Sequence, residues 1–396
     1  MLSYGHFINV RAQVSNLHIA TWQRLDTNFA DSGRNKREIN MGFFSSKRIA
    51  TALTLVWLGF MIYLWFPMLL PNAQKKSVID KGIFRQEALA QKKNMTSTDA
   101  VHVCIMSDSN TIGGMMALIN SIRLNTKHDV MFHLFVDRKS MDHARIWIET
   151  STLLVIFYDL HVFPQEWVKG KIKVRGGRPE LASPMNFGRY YLPRLFPDFH
   201  GRVLYIDDDS IVQGDVYELY NMKLKPGHAA AFSKDCDGPA KRLSLMKNNY
   251  ADYIDFKNKH VKELDLNPNE CAFNSGVFVA DLDLWRKNNI TQKLEYWMTL
   301  NTKEEVYGNE RGGGASQPPM MIVFYNQYTE IDPNWHVRYL GWTTRTSYSK
   351  SFLSYAHLLH WNGRYKPWGR VSSHVDIWDK YFVKDPDNKF HPVRKY

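Results

Sequence analysis

The stretch VLYIDDDSIVQGD, residues 203–215, ends an apolar run on three consecutive aspartates. Adjacent carboxylates repel one another, so such a cluster beside a buried segment needs a counter-charge. In an extended chain, residues two apart share a face. Asp207 and Asp209 can therefore converge on one cation while Asp208 points away. Carboxylate oxygens are hard ligands suited to magnesium, manganese or calcium. Two carboxylates leave a six-coordinate shell incomplete, and a diphosphate would supply the missing oxygens. An acidic loop or a capped turn would use the same residues, so the surroundings must decide.

Working outward, strand-like and helix-like runs alternate. AVHVCIMS (100–107), VMFHLFVD (130–137), TLLVIFYDL (152–160) and RVLYI (202–206) read as strands. GGMMALINSIRLNT (113–126), MDHARIWIETS (141–151) and PMNFGRYYLPRLF (184–196) read as helices. This order predicts an α/β domain with a mainly parallel sheet and helices on its faces. In such sheets ligands gather beyond the carboxyl ends of the strands, where the aspartates lie.

A second constellation, LLHWNGRYKPW (358–368), ends another apolar run on His360. Manganese accepts an imidazole nitrogen. Gly363 permits close backbone approach to a bulky anion, and Lys366 offers a compact positive charge. Aspartates, histidine, glycine and lysine together favour a metal–diphosphate site.

The net charge is +12, but residues 1–97 hold 13 Lys/Arg against 5 Asp/Glu and so carry +8 of it. That placement weakens a nucleic-acid reading and favours a basic tail beside a membrane. Residues 49–70, IATALTLVWLGFMIYLWFPMLL, contain no charge. At about 1.5 Å of rise per residue they match a hydrocarbon core of about 30 Å. The expected organisation is a tail over 1–48, a transmembrane signal anchor over 49–70, a stem over 71–97 and a lumenal domain over 98–396. The basic residues lean to a cytoplasmic N-terminus, and the sequons at Asn94 and Asn289 agree. A lumenal domain permits a disulfide. Of the three cysteines, Cys236 and Cys271 are the better pair, because Cys104 sits inside a strand-like run.

LYIDDDSIVQGD, FNSGVFV (273–279) and HWNGRYKPW occur in the order found in glycosyltransferase family 8, which the chain resembles across about residues 100–385. The nearest resemblance is to the animal glycosyltransferase 8 domain-containing proteins. The stretch 318–342 is also similar to plant galacturonosyltransferases of that family. The resemblance implies a GT-A fold, Rossmann-like, binding a UDP-sugar through a divalent cation, manganese first, and transferring the sugar with retention. It makes Asp207, Asp209 and His360 the metal ligands. It makes Asp108, Asn110, Arg189, Asp208, Gly276, Gly363 and Lys366 donor contacts. Arg189, Asn274 and Gln317 become candidates for the reacting face of the sugar. Many members carry an Asp-Gln pair there, whereas GGGASQPPMMIVF (312–324) offers Gln317 followed by two prolines and no aspartate. Retention by front-face attack and retention through an enzyme nucleophile both stay open. The resemblance further implies a Golgi membrane location, single-pass type II, with a glycan or glycoprotein as acceptor. A protein that binds UDP-sugar or glycan without catalysis is the alternative. Glucose, galactose, xylose and galacturonate donors all suit the motifs, with an edge to galacturonate.

Overall fold

A computed structural model describes residues 100–174, 178–236, 248–308, 316–344 and 348–394. The expected tail, anchor and stem, and Asn94, lie outside these residues. No helix among the described residues is long and apolar enough to cross a membrane.

The chain enters the fold at Val101–Ser107 (β1), in which every residue is buried. A continuous apolar run of this kind suits a central parallel strand covered on both faces. Ile112–Asn125 (α1), Val130–Val136 (β2), Met141–Thr150 (α2), Phe157–Val162 (β3) and Arg202–Ile206 (β4) follow in alternation. Next come Ser210–Val212 (β5), Ala230–Lys234 (β6) and Phe273–Asp281 (β7). Ile290–Lys303 (α3), Gln317–Val323 (α4), Thr329–Glu330 (β8) and Leu358–His360 (β9) complete the set needed here.

Seven strands form one sheet in the order β3-β2-β1-β4-β7-β6-β8, and β5 pairs with β9 apart from it. β1 is parallel to β2 and β4, β2 to β3, and β6 to β8. Only β7 is reversed, antiparallel to both β4 and β6. Its N-terminal end therefore lies beside the carboxyl end of β4, with Ile206 opposite Val277. Strand alternation sends Val103, Ile105, Leu204 and Val277 to one face, where Met115, Ile119 and Trp147 of α1 and α2 cover them. Cys104, Tyr205 and Phe278 face the other side, under Leu294, Met298, Met320 and Met321 of α3 and α4. This is the expected mainly parallel sheet with helices on both faces.

Two boundaries differ from the sequence expectation. Thr152–Val155 is a 3-10 turn and the third strand begins only at Phe157. Ser151 caps that turn by accepting from Leu153 N at 3.1 Å. β3 is the sheet edge and only half-buried, so its own sequence is less apolar than the turn before it. The expected helix 184–196 is three short turns, Pro184–Phe187, Gly188–Tyr191 and Leu192–Leu195. Pro193 cannot donate the backbone bond that would join the last two.

Candidate active site

The aspartates occupy the turn between β4 and β5, and two backbone bonds and a strand pairing fix that turn. Asp207 N donates to Gly276 O at 2.7 Å, which ties it to the start of β7. Ser210 pairs with His360, and Trp361 N donates to Asp209 O at 2.9 Å. The small β5–β9 ladder thus carries the imidazole to the acids. His360 Nε2 lies 2.9 Å from Asp209 Oδ1 and 3.9 Å from Asp207 Oδ2. One ligand atom from each of Asp207, Asp209 and His360 falls within 4.8 Å of the others.

The charge in this cluster is balanced internally. Asp209, 5% exposed, also contacts the Lys366 ammonium through Oδ2. Burial alone would raise the Asp209 carboxyl, but Lys366 and His360 overcome it and hold the group well below the usual carboxylate range. Asp208 turns the other way, onto Ser107 and Thr111 at the end of β1. Burial, with Asp209 beside it, pushes the Asp208 carboxyl well up.

Arg189 is 4% exposed and sits behind Asp207. Its Nη2 donates to Asp207 Oδ1 at 2.7 Å and its Nε donates to Asn186 O at 3.0 Å. Nη1 donates to Ser275 O, and the guanidinium lies 4.6 Å from the centre of the Tyr205 ring. Most of its donors are spent within the protein, so Arg189 orients Asp207 where the sequence reading has it facing the donor. Tyr205 OH adds a 3.2 Å bond to the same oxygen.

Gly276 borders the ligands. A Cβ there would fall 2.4 Å from His360 Cε1 and 2.7 Å from Asp207 Oδ2. The missing side chain leaves space between imidazole and carboxylate, and the donor set is two hard oxygens and one nitrogen. These residues fit a divalent cation such as manganese or magnesium. Asn274 Oδ1 accepts from Gly276 N at 2.9 Å and braces that turn. Gly363 adopts φ +115, and a Cβ on it would strike Gly341 O at 2.4 Å. The HWNGRYK loop is thereby pressed against residues 339–342, with Lys366 at its rim.

Asp108 and Asn110 lie at the end of β1, before α1. Asp108 Oδ1 accepts from Asn110 N at 2.9 Å and Oδ2 from Ser183 Oγ at 3.1 Å. Gln317 opens α4. Its amide bonds to Tyr253 and contacts Met321 Sδ at 3.8 Å. The prolines that follow sit in the first helical turn, where a missing N–H costs nothing. Cys236 and Cys271 are joined, with Cα atoms 5.7 Å apart, and Cys104 is free and buried. Asn289 is exposed, while Thr291 of its sequon is buried. Sequence reasoning assigned no role to His336 and Arg338, which stand behind His360. A single His-x-Arg pair in an irregular segment carries no periodic signal, although its two-residue spacing puts both on one face.

The family model for glycosyl transferase family 8 matches residues 102–372. Glycosyltransferase 8 domain-containing protein 1 of Homo sapiens is 42% identical over 302 residues, 75% of this chain and 81% of the relative. Glycosyltransferase 8 domain-containing protein 2 of Bos taurus is 45% identical over 301 residues, 74% and 86% of the two chains. Among solved structures, the galactosyltransferase LgtC in complex with donor and acceptor sugar analogues aligns with TM-score 0.53 at 14% identity, covering 71% of this chain and 95% of that one. That likeness concerns the fold, which is GT-A-like. By its matched family model and its relatives, the chain belongs to glycosyltransferase family 8.

Proposed function

We propose that this protein transfers a hexosyl or uronosyl group from a UDP-sugar to a glycan or glycoprotein acceptor, with retention of configuration. The observation that carries the reading is the meeting of Asp207, Asp209 and His360 at one point, with Lys366 beside them. These three residues would hold a divalent cation, which acts as a Lewis acid toward charge developing on the leaving diphosphate. Lys366, on the rim, supplies a fixed positive charge for a phosphate oxygen. Gly276 keeps a side chain out of the space between His360 and Asp207, and Gly363 lets the loop that carries Lys366 pack against residues 339–342. Arg189 and Tyr205 hold Asp207 in place, so the acid does not reorganise during the reaction. The amide of Gln317 is no carboxylate nucleophile, and no aspartate stands beside it in the stretch 312–324. Attack by the acceptor on the leaving-group face, with a phosphate oxygen taking its proton, therefore fits better than a covalent sugar–enzyme intermediate.

The same reading puts the transferase part in the Golgi lumen, anchored by residues 49–70. The Cys236–Cys271 disulfide supports an oxidising compartment.

The test uses the full-length chain in detergent with manganese chloride. UDP release is measured from UDP-glucose, UDP-galactose, UDP-xylose and UDP-galacturonate. Turnover with at least one donor, lost in Asp209→Ala and with EDTA, is expected. The stretch around Gln317, with two prolines after it and no aspartate beside it, favours one other reading, a donor-binding protein without turnover. A thermal shift with UDP and manganese but no UDP release would select it. Neither shift nor release would overturn both.

A further inference from the structure

His336 and Arg338 flank Val337, which bridges Leu359 in parallel fashion. Val337 N donates to Leu358 O at 2.9 Å, and His360 N donates to Val337 O at 2.8 Å. Val337 joins an apolar cluster, so the polar residues on either side turn the opposite way. His336 is 1% exposed. Its Nε2 lies 2.9 Å from His360 Nδ1, on the edge of that ring away from the aspartates. Its own Nδ1 lies 3.4 Å from Arg338 Nη1. Arg338 is in turn fixed by Asp235, with Nε 2.8 Å from Oδ1, and by the carbonyls of Ser233 and Lys234. Asn248 Nδ2 donates to the other Asp235 oxygen at 2.9 Å. A line of buried polar groups therefore runs from His360 through His336 and Arg338 to the end of β6.

Such a line is a costly way to fill a core. Apolar residues of similar volume are often as stabilising as a buried ion pair, or more so. Its one chemically reactive terminus is His360. The second torsion of a histidine is broad and roughly two-fold, so an unbraced ring can present either edge.

We infer that His336 is a positioning residue for His360, packed in turn against the Arg338–Asp235 pair. Its Nε2 accepts the Nδ1 proton of His360, which leaves the Nε2 lone pair of that ring facing Asp207 and Asp209 before any cation arrives. The inference rests on the cation reading of the site. A partner at the outer nitrogen of a metal-binding histidine is typically worth about 10–100-fold in metal affinity.

The experiment titrates manganese into the full-length protein in detergent and reads free manganese by electron paramagnetic resonance. Wild type, His336→Phe and His336→Gln are compared, with melting temperatures taken in EDTA. Phenylalanine keeps a ring and loses the hydrogen bond, whereas glutamine can donate or accept. His336→Phe is expected to weaken manganese about 10–100-fold, with His336→Gln recovering most of the loss. Arg338→Lys keeps the charge beside Asp235 but loses the fork that reaches His336, and is expected to weaken manganese about tenfold. It serves as the second variant should His336→Phe not fold. If the folded His336→Phe or Arg338→Lys protein binds manganese like wild type, and only the melting temperature falls, the role is structural and the inference is overturned. Glutamine no better than phenylalanine also overturns it. Wild type that binds no manganese overturns the cation reading, and this inference with it.

Discussion

Replacing Gly276 by alanine puts one methyl group where the site has no room for it. The added Cβ would lie 2.4 Å from His360 Cε1, 2.7 Å from Asp207 Oδ2 and 3.0 Å from Asn274 Oδ1, whereas ordinary contact starts at 3.4 Å. Imidazole and carboxylate must each give way by up to about 1 Å, a misplacement that can cost about 100-fold in a reacting constellation. Neither is free to retreat. His360 is backed by His336 at 2.9 Å, and Asp207 is held by Arg189 at 2.7 Å. Overpacking of this kind costs about 1–3 kcal/mol, and alanine in a strand regains about 0.5–1 kcal/mol over glycine. The net loss of stability is then about 2.5 kcal/mol at most, and the fold is expected to survive. Metal affinity and turnover bear the damage. Manganese titration, UDP release and a melting curve on the same preparation separate the two effects. Expected are a manganese dissociation constant raised about 100-fold and a melting temperature lowered by only a few degrees. A Gly276→Ala protein with wild-type manganese affinity would refute the claim that this glycine borders the cation.

Arg189→Lys keeps a charge but loses the planar fork shared among Asp207, Ser275 and Asn186. It should weaken manganese about tenfold and lower stability by about 1–2 kcal/mol, and unchanged manganese binding would contradict the bracing role. Removing the disulfide with Cys236→Ser and Cys271→Ser frees a 35-residue loop and should cost about 2–4 kcal/mol in urea unfolding. A midpoint equal to wild type would show that the bridge does not restrain the unfolded chain. Burial pushes the His102 imidazole down from 6.5 to about 4, with Asp159 opposing. The unfolded chain then binds a proton that the folded chain refuses, so stability rises with pH across that window. It is whole above pH 6.5, falls by roughly 3 kcal/mol as pH drops toward about 4, and levels off below. Urea midpoints of His102→Phe should lose that slope, and a slope equal to wild type would assign it to other groups.

The parts of the fold visible in the sequence are those written as local patterns. β1, β2, α1 and α2 were legible because buried strands and amphipathic helices each leave a periodic or continuous apolar trace over seven residues or more. Asp207, Asp209, His360 and Lys366 were legible because their chemistry is conspicuous at the ends of apolar runs. The reversal of β7 left no such trace, since a strand reads the same in either direction. The ladder between β5 and β9, three residues each, is too short for a periodic signal. The direction of the Arg189 side chain leaves no local sign. Only the packing of Gly188–Tyr191 against β7 turns its guanidinium onto Asp207. The His336–Arg338 line depends on Asp235 and Asn248, which no local pattern joins to residue 360.

Lys366 and its partner Asp209 are 157 residues apart. A ribosome releases this chain from its N-terminus, and domains form largely in that order. The strands that build the greater part of the sheet emerge well before the imidazole and the ammonium that complete the acid cluster. A chain cut short ahead of Leu358 would lack both His360 and Lys366. Under the proposed function, an unfinished copy would have no complete cation site and would leave its donor untouched while synthesis is still under way.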